Sequence, residues 1–285
     1  MKTGMNLLLW TAHVTEEHFP IIADIKKTGF DGVEIPVFDG APAHYAGLKK
    51  ELDKQGLEST TVTVLGPDHS PVSPDAKIRA AALDRLKWAI DCNHALGAQN
   101  MVGPFHSPLG VFTGVPPTED EKKRAADVLR AAAEHAAQAN VQLCLEYLNR
   151  FECYFLTTAA DAVAFVHRVN HPSLKTMYDT FHAHIEEKSQ AAPIFQTAPV
   201  LGHVHISEND RGTPGTGQVN WCEAFTTLKK VGYDGWLVIE AFGRALPDLA
   251  AATKVWRDLF PTPKQVYVDG LKWIKQHWEA GDKPR

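Results

Sequence analysis

The sequence predicts a closed (β/α)8 TIM barrel, one domain over residues 1–285, on three observations. Short apolar runs alternate with longer amphipathic ones, eight of each, which is the order of a parallel sheet covered by helices. The length of 285 residues suits such a barrel, which typically takes ~250. The rival, a doubly wound open sheet, would carry a glycine-rich turn after its first strand; "LLLWTAH" stands there instead.

Each element follows from local chemistry. "MNLLLW" (5–10) reads as the first strand and "EEHFPIIADIKKTG" (16–29) as a helix closed by Gly29. "DGVEIPV" (31–37) is the second strand, followed by a helix over 43–56 that also stops at a glycine. The β-branched run "LESTTVTVL" (57–65) is the third strand. A long helix over 74–97 starts at Pro74 and ends at Gly97, the usual punctuation. Strand four is "AQNMVGP" (98–104), and the helix over 118–140 opens with a capping box, Thr118 with Glu121. Strand five is "VQLCLEY" (141–147), helix five covers 157–169, and strand six is "LKTMYDT" (174–180). A helix near 189–197, strand seven "PVLGHVHIS" (199–207), a helix over 221–232, strand eight "GWLVIEAF" (235–242) and a last helix over 263–278 complete the count.

Composition narrows the function. Hydrophobic residues at 44% and charged residues at 22% give ample core. The net charge of -5 lacks the basic stripe of a nucleic-acid binder. Cys92, Cys144, Cys153 and Cys222 form no C-x-x-C pair, so neither a zinc ribbon nor a redox motif is suggested, and a reduced, cytoplasmic setting is the simplest reading. The apolar run near the N-terminus is too short for a signal peptide, and no run reaches the ~20 residues of a membrane helix, so no membrane partner is expected.

Reacting groups of such a barrel sit at the C-terminal strand ends. From strand five onward those ends carry Glu146, Asp179, His205 and Glu240. Successive members lie about 30 residues apart, one βα unit each. One such acid would be unremarked as a cap or ion-pair partner; four at matching strand ends point to a metal site. Three carboxylates and one imidazole make a hard donor set, suited to Mn²⁺ or Mg²⁺, with Co²⁺ accepted. Glu152, His182 and Arg211 lie just past strand ends, placed to hydrogen-bond a polyhydroxylated ligand. Glu34 and His106 are further candidates, Trp10, Phe112 and Phe242 offer apolar walls, and His203 reads as packing. "GTPGTG" (212–217) is not followed by Lys-Ser/Thr and is no P-loop; it reads as a turn shaping a substrate loop. No G-x-S-x-G elbow or H-E-x-x-H helix is present.

A divalent cation beside two glutamates suggests proton abstraction next to a carbonyl, with the enediolate charge stabilised. Glu146 and Glu240 come from separated strands and would reach one carbon from opposite faces. One takes a proton and the other returns one, which inverts that carbon.

"LEYLNRFE" (145–152), "DTFHAHIEE" (179–187), "GHVHISENDRGTPGTG" (202–217) and "GYDGWLVIEAF" (232–242) together resemble the ketose 3-epimerases, those of D-tagatose, D-psicose (allulose) and L-ribulose, in the xylose isomerase-like barrel superfamily. The likeness in organisation spans nearly the whole chain; the specific motifs lie in its second half. It implies metal on Glu146, Asp179, His205 and Glu240, the glutamates as acid–base pair, and Glu152, His182 and Arg211 on O1 to O3 of a small-molecule ketose. It also implies Mn²⁺ as the usual metal and a homodimer or homotetramer. Ser207 stands where many members have Gly, and Ala241 where many have Pro. An aldose–ketose or hydroxypyruvate-type isomerase is the alternative on the same scaffold; a nuclease of the endonuclease IV kind and a non-catalytic sugar binder are disfavoured by charge and by the glutamate pair respectively. The sequence assigns no role to Asn149 or Arg150.

Overall fold

A computed structural model describes residues 1–279 of the chain. In order it contains β1 (Lys2–Asn6), α1 (Phe19–Thr28), β2 (Gly32–Pro36), α2 (Pro42–Gln55), β3 (Glu58–Val62), α3 (Ala76–Leu96), β4 (Asn100–Gly103), α4 (Glu119–Gln138) and β5 (Gln142–Leu145). Then come α5 (Ala159–Val169), β6 (Leu174–Asp179), α6 (Thr180–Glu186), α7 (Ala191–Thr197), β7 (Leu201–Ile206), α8 (Trp221–Lys230), β8 (Trp236–Ile239), α9 (Pro247–Thr253) and α10 (Pro263–Glu279). The strands pair in chain order, all parallel, and β8 returns to β1 with Lys2 opposite Trp236 and Met5 opposite Ile239. The expected closed eight-stranded barrel is therefore the observed fold. Every residue of β2 and of β8 is buried, as strands covered on both faces require. Among the described residues no helix is long and apolar enough to cross a membrane.

Helix ends match their sequence signals. Thr118 Oγ1 accepts from the Glu121 N–H, and the Glu121 carboxylate accepts from the Thr118 N–H at 2.7 Å, a closed capping box. The long helix α3 is capped by Asp75, whose carboxylate accepts from Lys77 N–H, rather than starting at Pro74.

Three differences from the sequence reading bear on the site. The first strand lies at Lys2–Asn6, earlier than expected, and Leu7–Leu9 form a 3-10 turn. The Asn6 side chain accepts from the Leu8 N–H at 2.8 Å and bends the chain there. The three leucines are buried as core and barrel-mouth packing, which imitates a strand in sequence. The second difference is α6, begun by the Asp179 carboxylate accepting from Phe181 N–H. The third is α9, a short helix after β8 that the alternation of runs does not announce. Strands five and eight also end sooner than read, so Glu146 and Glu240 each stand one residue beyond their strand.

Inside the barrel, Val62, Val102, Cys144 and Met177 form an apolar plug that continues upward into Leu8 and Phe242 at the mouth. Neighbours one residue along, such as Met101, Leu143 and Tyr178, belong to the outer cluster packed under the helices. Gly103 closes β4 with φ +126°, and a Cβ added there would lie 2.1 Å from the Thr63 carbonyl oxygen. Its own carbonyl accepts the Glu146 N–H at 3.0 Å. Gly103→Ala is expected to destabilise the protein by about 3 kcal/mol or more, read by chemical denaturation; a loss below about 1 kcal/mol would show that the backbone relaxes freely.

Candidate metal and acid–base site

Four strand ends converge on the mouth of the barrel. Glu146 follows β5, Asp179 ends β6, His205 lies within β7 and Glu240 follows β8. One donor atom from each lies within 4.8 Å of all the others, and all four residues are buried. His205 Nδ1 is 3.5 Å from Glu240, 3.6 Å from Asp179 and 3.9 Å from Glu146. Neither His205 Nδ1 nor Glu146 Oε1 has a hydrogen-bond partner. Buried polar atoms are almost always satisfied. Two such atoms facing one another, with two further carboxylates around them, fit a divalent cation, and the oxygen-rich set suits a hard one.

The electrostatics agree. Burial raises Glu146, and the neighbouring Glu240 carboxylate raises it further, well above the ordinary carboxylate range. Burial also opposes ionisation of Asp179, but Arg211 and His205 outweigh it and hold Asp179 low. Burial alone would lower His205; the Glu240 and Glu34 carboxylates overcome it and raise the imidazole well above its usual range. The pocket is thus built to hold positive charge.

A support layer lies behind the donors. Glu34 Oε1 is 2.8 Å from His205 Nε2, so the imidazole hydrogen is held on Nε2 and Nδ1 faces the carboxylates. Glu34 also accepts from Asn6 Nδ2 at 2.9 Å and Thr60 Oγ1 at 2.8 Å, and His203 Nε2 lies 3.1 Å away. The second Asn6 amide hydrogen goes to Glu240 Oε1 at 3.1 Å. Glu34 therefore reaches the site, behind the donors rather than among them, and His203 belongs to the same support. Asn6 is hidden in sequence because the first strand is read to end at Trp10, four residues past its end at Asn6.

Glu152, His182 and Arg211 are brought together on the same rim, and all three are buried. Asn149 organises them. Its backbone N–H donates to His182 Nδ1 at 2.9 Å, and its side-chain amide donates to Glu152 Oε1 at 2.8 Å. The first bond makes Nδ1 an acceptor, and Nε2 lies 3.0 Å from Arg211 Nη2 and 3.5 Å from Glu146 Oε1. Burial, with Arg211 beside it, lowers His182 to about 3, so the ring is neutral. Arg150 fastens this loop to α6 by a bidentate pair with Glu186 at 3.0 and 2.9 Å. Arg211 donates to Glu240 Oε2 at 2.8 Å and Asp179 Oδ2 at 3.1 Å, and its guanidinium stacks 3.8 Å from the Phe181 ring centre. Its backbone is left-handed, φ +67°, an uncommon state for a non-glycine residue.

The glycine-rich loop owes its shape to Glu208, a buried carboxylate the sequence reading passed over. It accepts from the N–H groups of Gly215 at 2.8 Å, Asn209 at 3.0 Å and Val219 at 3.1 Å, and from Trp221 Nε1 at 3.1 Å. The loop thereby fixes Arg211 and carries no phosphate cradle.

A cavity of about 280 Å³ opens above these groups. Glu146, Glu152, His182, Arg211 and Glu240 line one side; Phe242 is part of the wall, as expected. Three candidates fall outside it. Trp10 packs on Tyr267, Phe112 is a half-exposed surface residue, and His106 is buried against Ser107 and Phe155. Burial lowers His106 to about 3, a neutral structural histidine.

Residues 22–277 match the family described as Xylose isomerase-like TIM barrel. The chain is 32% identical to a ketose 3-epimerase of Arthrobacter globiformis, covering 98% of each chain. It is 32% identical to a D-psicose 3-epimerase of Agrobacterium fabrum, covering 91% of each. A crystal structure of D-allulose 3-epimerase from Methylomonas sp. in complex with D-allulose superposes with a TM-score of 0.92 at 29% identity, covering 97% of each chain. Glu34→Gln is expected to weaken Mn²⁺ binding about 10–100-fold, measured by calorimetric titration of the folded protein; unchanged affinity would remove Glu34 from the support of His205.

Proposed function

The chain belongs to the xylose isomerase-like TIM barrel family and stands among its ketose 3-epimerases; it is an isomerase, and on that premise we propose that it inverts C3 of a free ketose, a ketohexose or ketopentose such as D-tagatose, D-fructose, D-psicose or L-ribulose. The observation that carries this reading is the pair of buried glutamates, Glu146 and Glu240, delivered from the ends of β5 and β8 to one donor cluster.

The two carboxylates are unequal. Glu240 is braced by Arg211 on one oxygen and Asn6 on the other. Glu146 Oε1 has no partner, and burial raises its proton affinity. A carboxylate raised toward working pH both takes and gives protons efficiently. One glutamate removes the C3 proton, the other returns a proton to the opposite face, and the carbon is inverted. Glu152, His182 and Arg211 hold the O1 to O3 end of the ketose: Arg211 donates, Glu152 accepts, and His182 completes the set. The apolar wall that includes Phe242 keeps water from the carbanion face. Glu146, Asp179, His205 and Glu240 would hold the divalent cation, Mn²⁺ foremost with Co²⁺ or Mg²⁺ accepted, and when bound it supplies Lewis-acid polarisation of the carbonyl and neighbouring hydroxyl.

A homodimer or homotetramer in the cytoplasm is part of the proposal. Phe112 and Val115 after β4 and Phe151 after β5 are 48%, 58% and 64% exposed, and give such an assembly an apolar surface on adjoining loops.

In D₂O with Mn²⁺, deuterium is expected to enter C3 of at least one free ketose, followed by NMR, and a chelator should stop it. Exchange at C1 with an aldose product would instead mark an aldose–ketose isomerase, and no exchange over ketohexoses and ketopentoses would sink the reading. Glu146→Gln and Glu240→Gln should each lower kcat about 10²–10⁴-fold while the ketose still binds; turnover within a few-fold of wild type would remove that glutamate from the acid–base pair.

A further inference from the structure

The rest of the cavity lining differs in chemistry from the rim set. There Leu8, Phe38, Val62, Val64, Leu109 and Leu249 present carbon. Beyond the rim set already described, a single charged side chain lines the cavity among the described residues: Asp248, in the first turn of α9. No hydrogen bond or ion pair engages its carboxylate among the described residues, and the residue is exposed. The one cation in the lining, Arg211, stands in the rim set beside Asp179 and Glu240.

The placement of Asp248 is fixed by packing rather than by chance. Ala250 and Val255 tie α9 and its exit to the mouth cluster that contains Leu8, Val62 and Phe242. Arg244 and Asp258, before and after the helix, close the segment with two bonds of 2.8 Å. Leu249, Ala252 and Thr253 of the same helix also line the cavity, so one face of α9 is turned to it.

We propose that Asp248 is a specificity-determining residue: it admits a ketose with a neutral tail and rejects one whose far end carries an anion, a terminal phosphate above all. The inference rests on the ketose reading above, because it assigns the rim set to O1 to O3 and so directs the tail of the substrate toward α9. A terminal phosphate in this part of the cavity would meet a carboxylate and apolar walls, and the one cation of the lining stands in the rim set. Charge repulsion against the wrong ligand is as effective a selector as attraction of the right one.

The test is calorimetric binding of D-fructose and of D-fructose 6-phosphate to the Mn²⁺-loaded wild type, Asp248→Asn and Asp248→Glu. The ratio of Kd, phosphate over free sugar, is expected to fall about fivefold or more in Asp248→Asn and to stay within twofold of wild type in Asp248→Glu. General loosening of α9 would weaken both ligands and leave the ratio unmoved. A fall of less than twofold in Asp248→Asn, or an equal fall in Asp248→Glu, overturns the proposal. C3 exchange recorded on the same wild-type sample keeps the two readings apart: a changed ratio without exchange on any ketose sinks the epimerase and leaves the role of Asp248 standing, and exchange with an unmoved ratio does the reverse.

Discussion

Glu146, Asp179 and Glu240 are buried together around His205 at one end of the barrel, and the surrounding structure is arranged to make that tolerable. Two like charges less than 5 Å apart at an effective dielectric of ~20 repel by about 3 kcal/mol, and burial adds to the cost of each. The chain answers in three ways. Arg211 donates to two of the carboxylates, the His205 imidazole faces all three, and Glu146 is left with a raised proton affinity that eases its charge. A divalent cation held among these four residues would complete the balance. The same crowding raises the proton affinity of Glu146, as the proposed acid–base role requires.

Holding Arg211 there has consequences for the chain around it. A non-glycine residue at φ +67° costs of order 1–3 kcal/mol. The Glu208 carboxylate, with four donors, sets the loop that imposes this conformation, and Phe181 from α6 backs the guanidinium. Glu208 lies outside the donor cluster and Phe181 meets it only through its backbone N–H on Asp179, yet both decide where the Arg211 cation stands.

The barrel was legible because alternation, length and helix punctuation all agree, and each survives small errors in strand limits. The donor set was legible for a related reason: side chains at C-terminal strand ends share one rim, so regular spacing reveals them without any contact being known. What lay beyond the rim was harder to read. Asn6 and Glu34 act through hydrogen bonds across β1, β2 and β7, and nothing in the local sequence of one strand marks a partner on another. Asn149 and Arg150 had no role in sequence because their partners, His182 and Glu186, lie on the neighbouring unit. The helices α6 and α9 are seven residues each, too short for a helical period to show above loop composition. Trp10, Phe112 and His106 show the converse: position near a rim loop does not say which way a side chain turns.

The support behind His205 divides the barrel by labour. All four donors come from β5 to β8 and their loops, whereas Asn6, Glu34 and Thr60 come from β1, β2 and β3. The first half of the chain thus braces the second, holding the imidazole and one glutamate from behind. Drift in the first half is therefore tolerated on its outer face and constrained at these few inward positions, so two homologous halves joined from different barrels would keep their ligands and still lose alignment unless Asn6, Glu34 and Thr60 came with them.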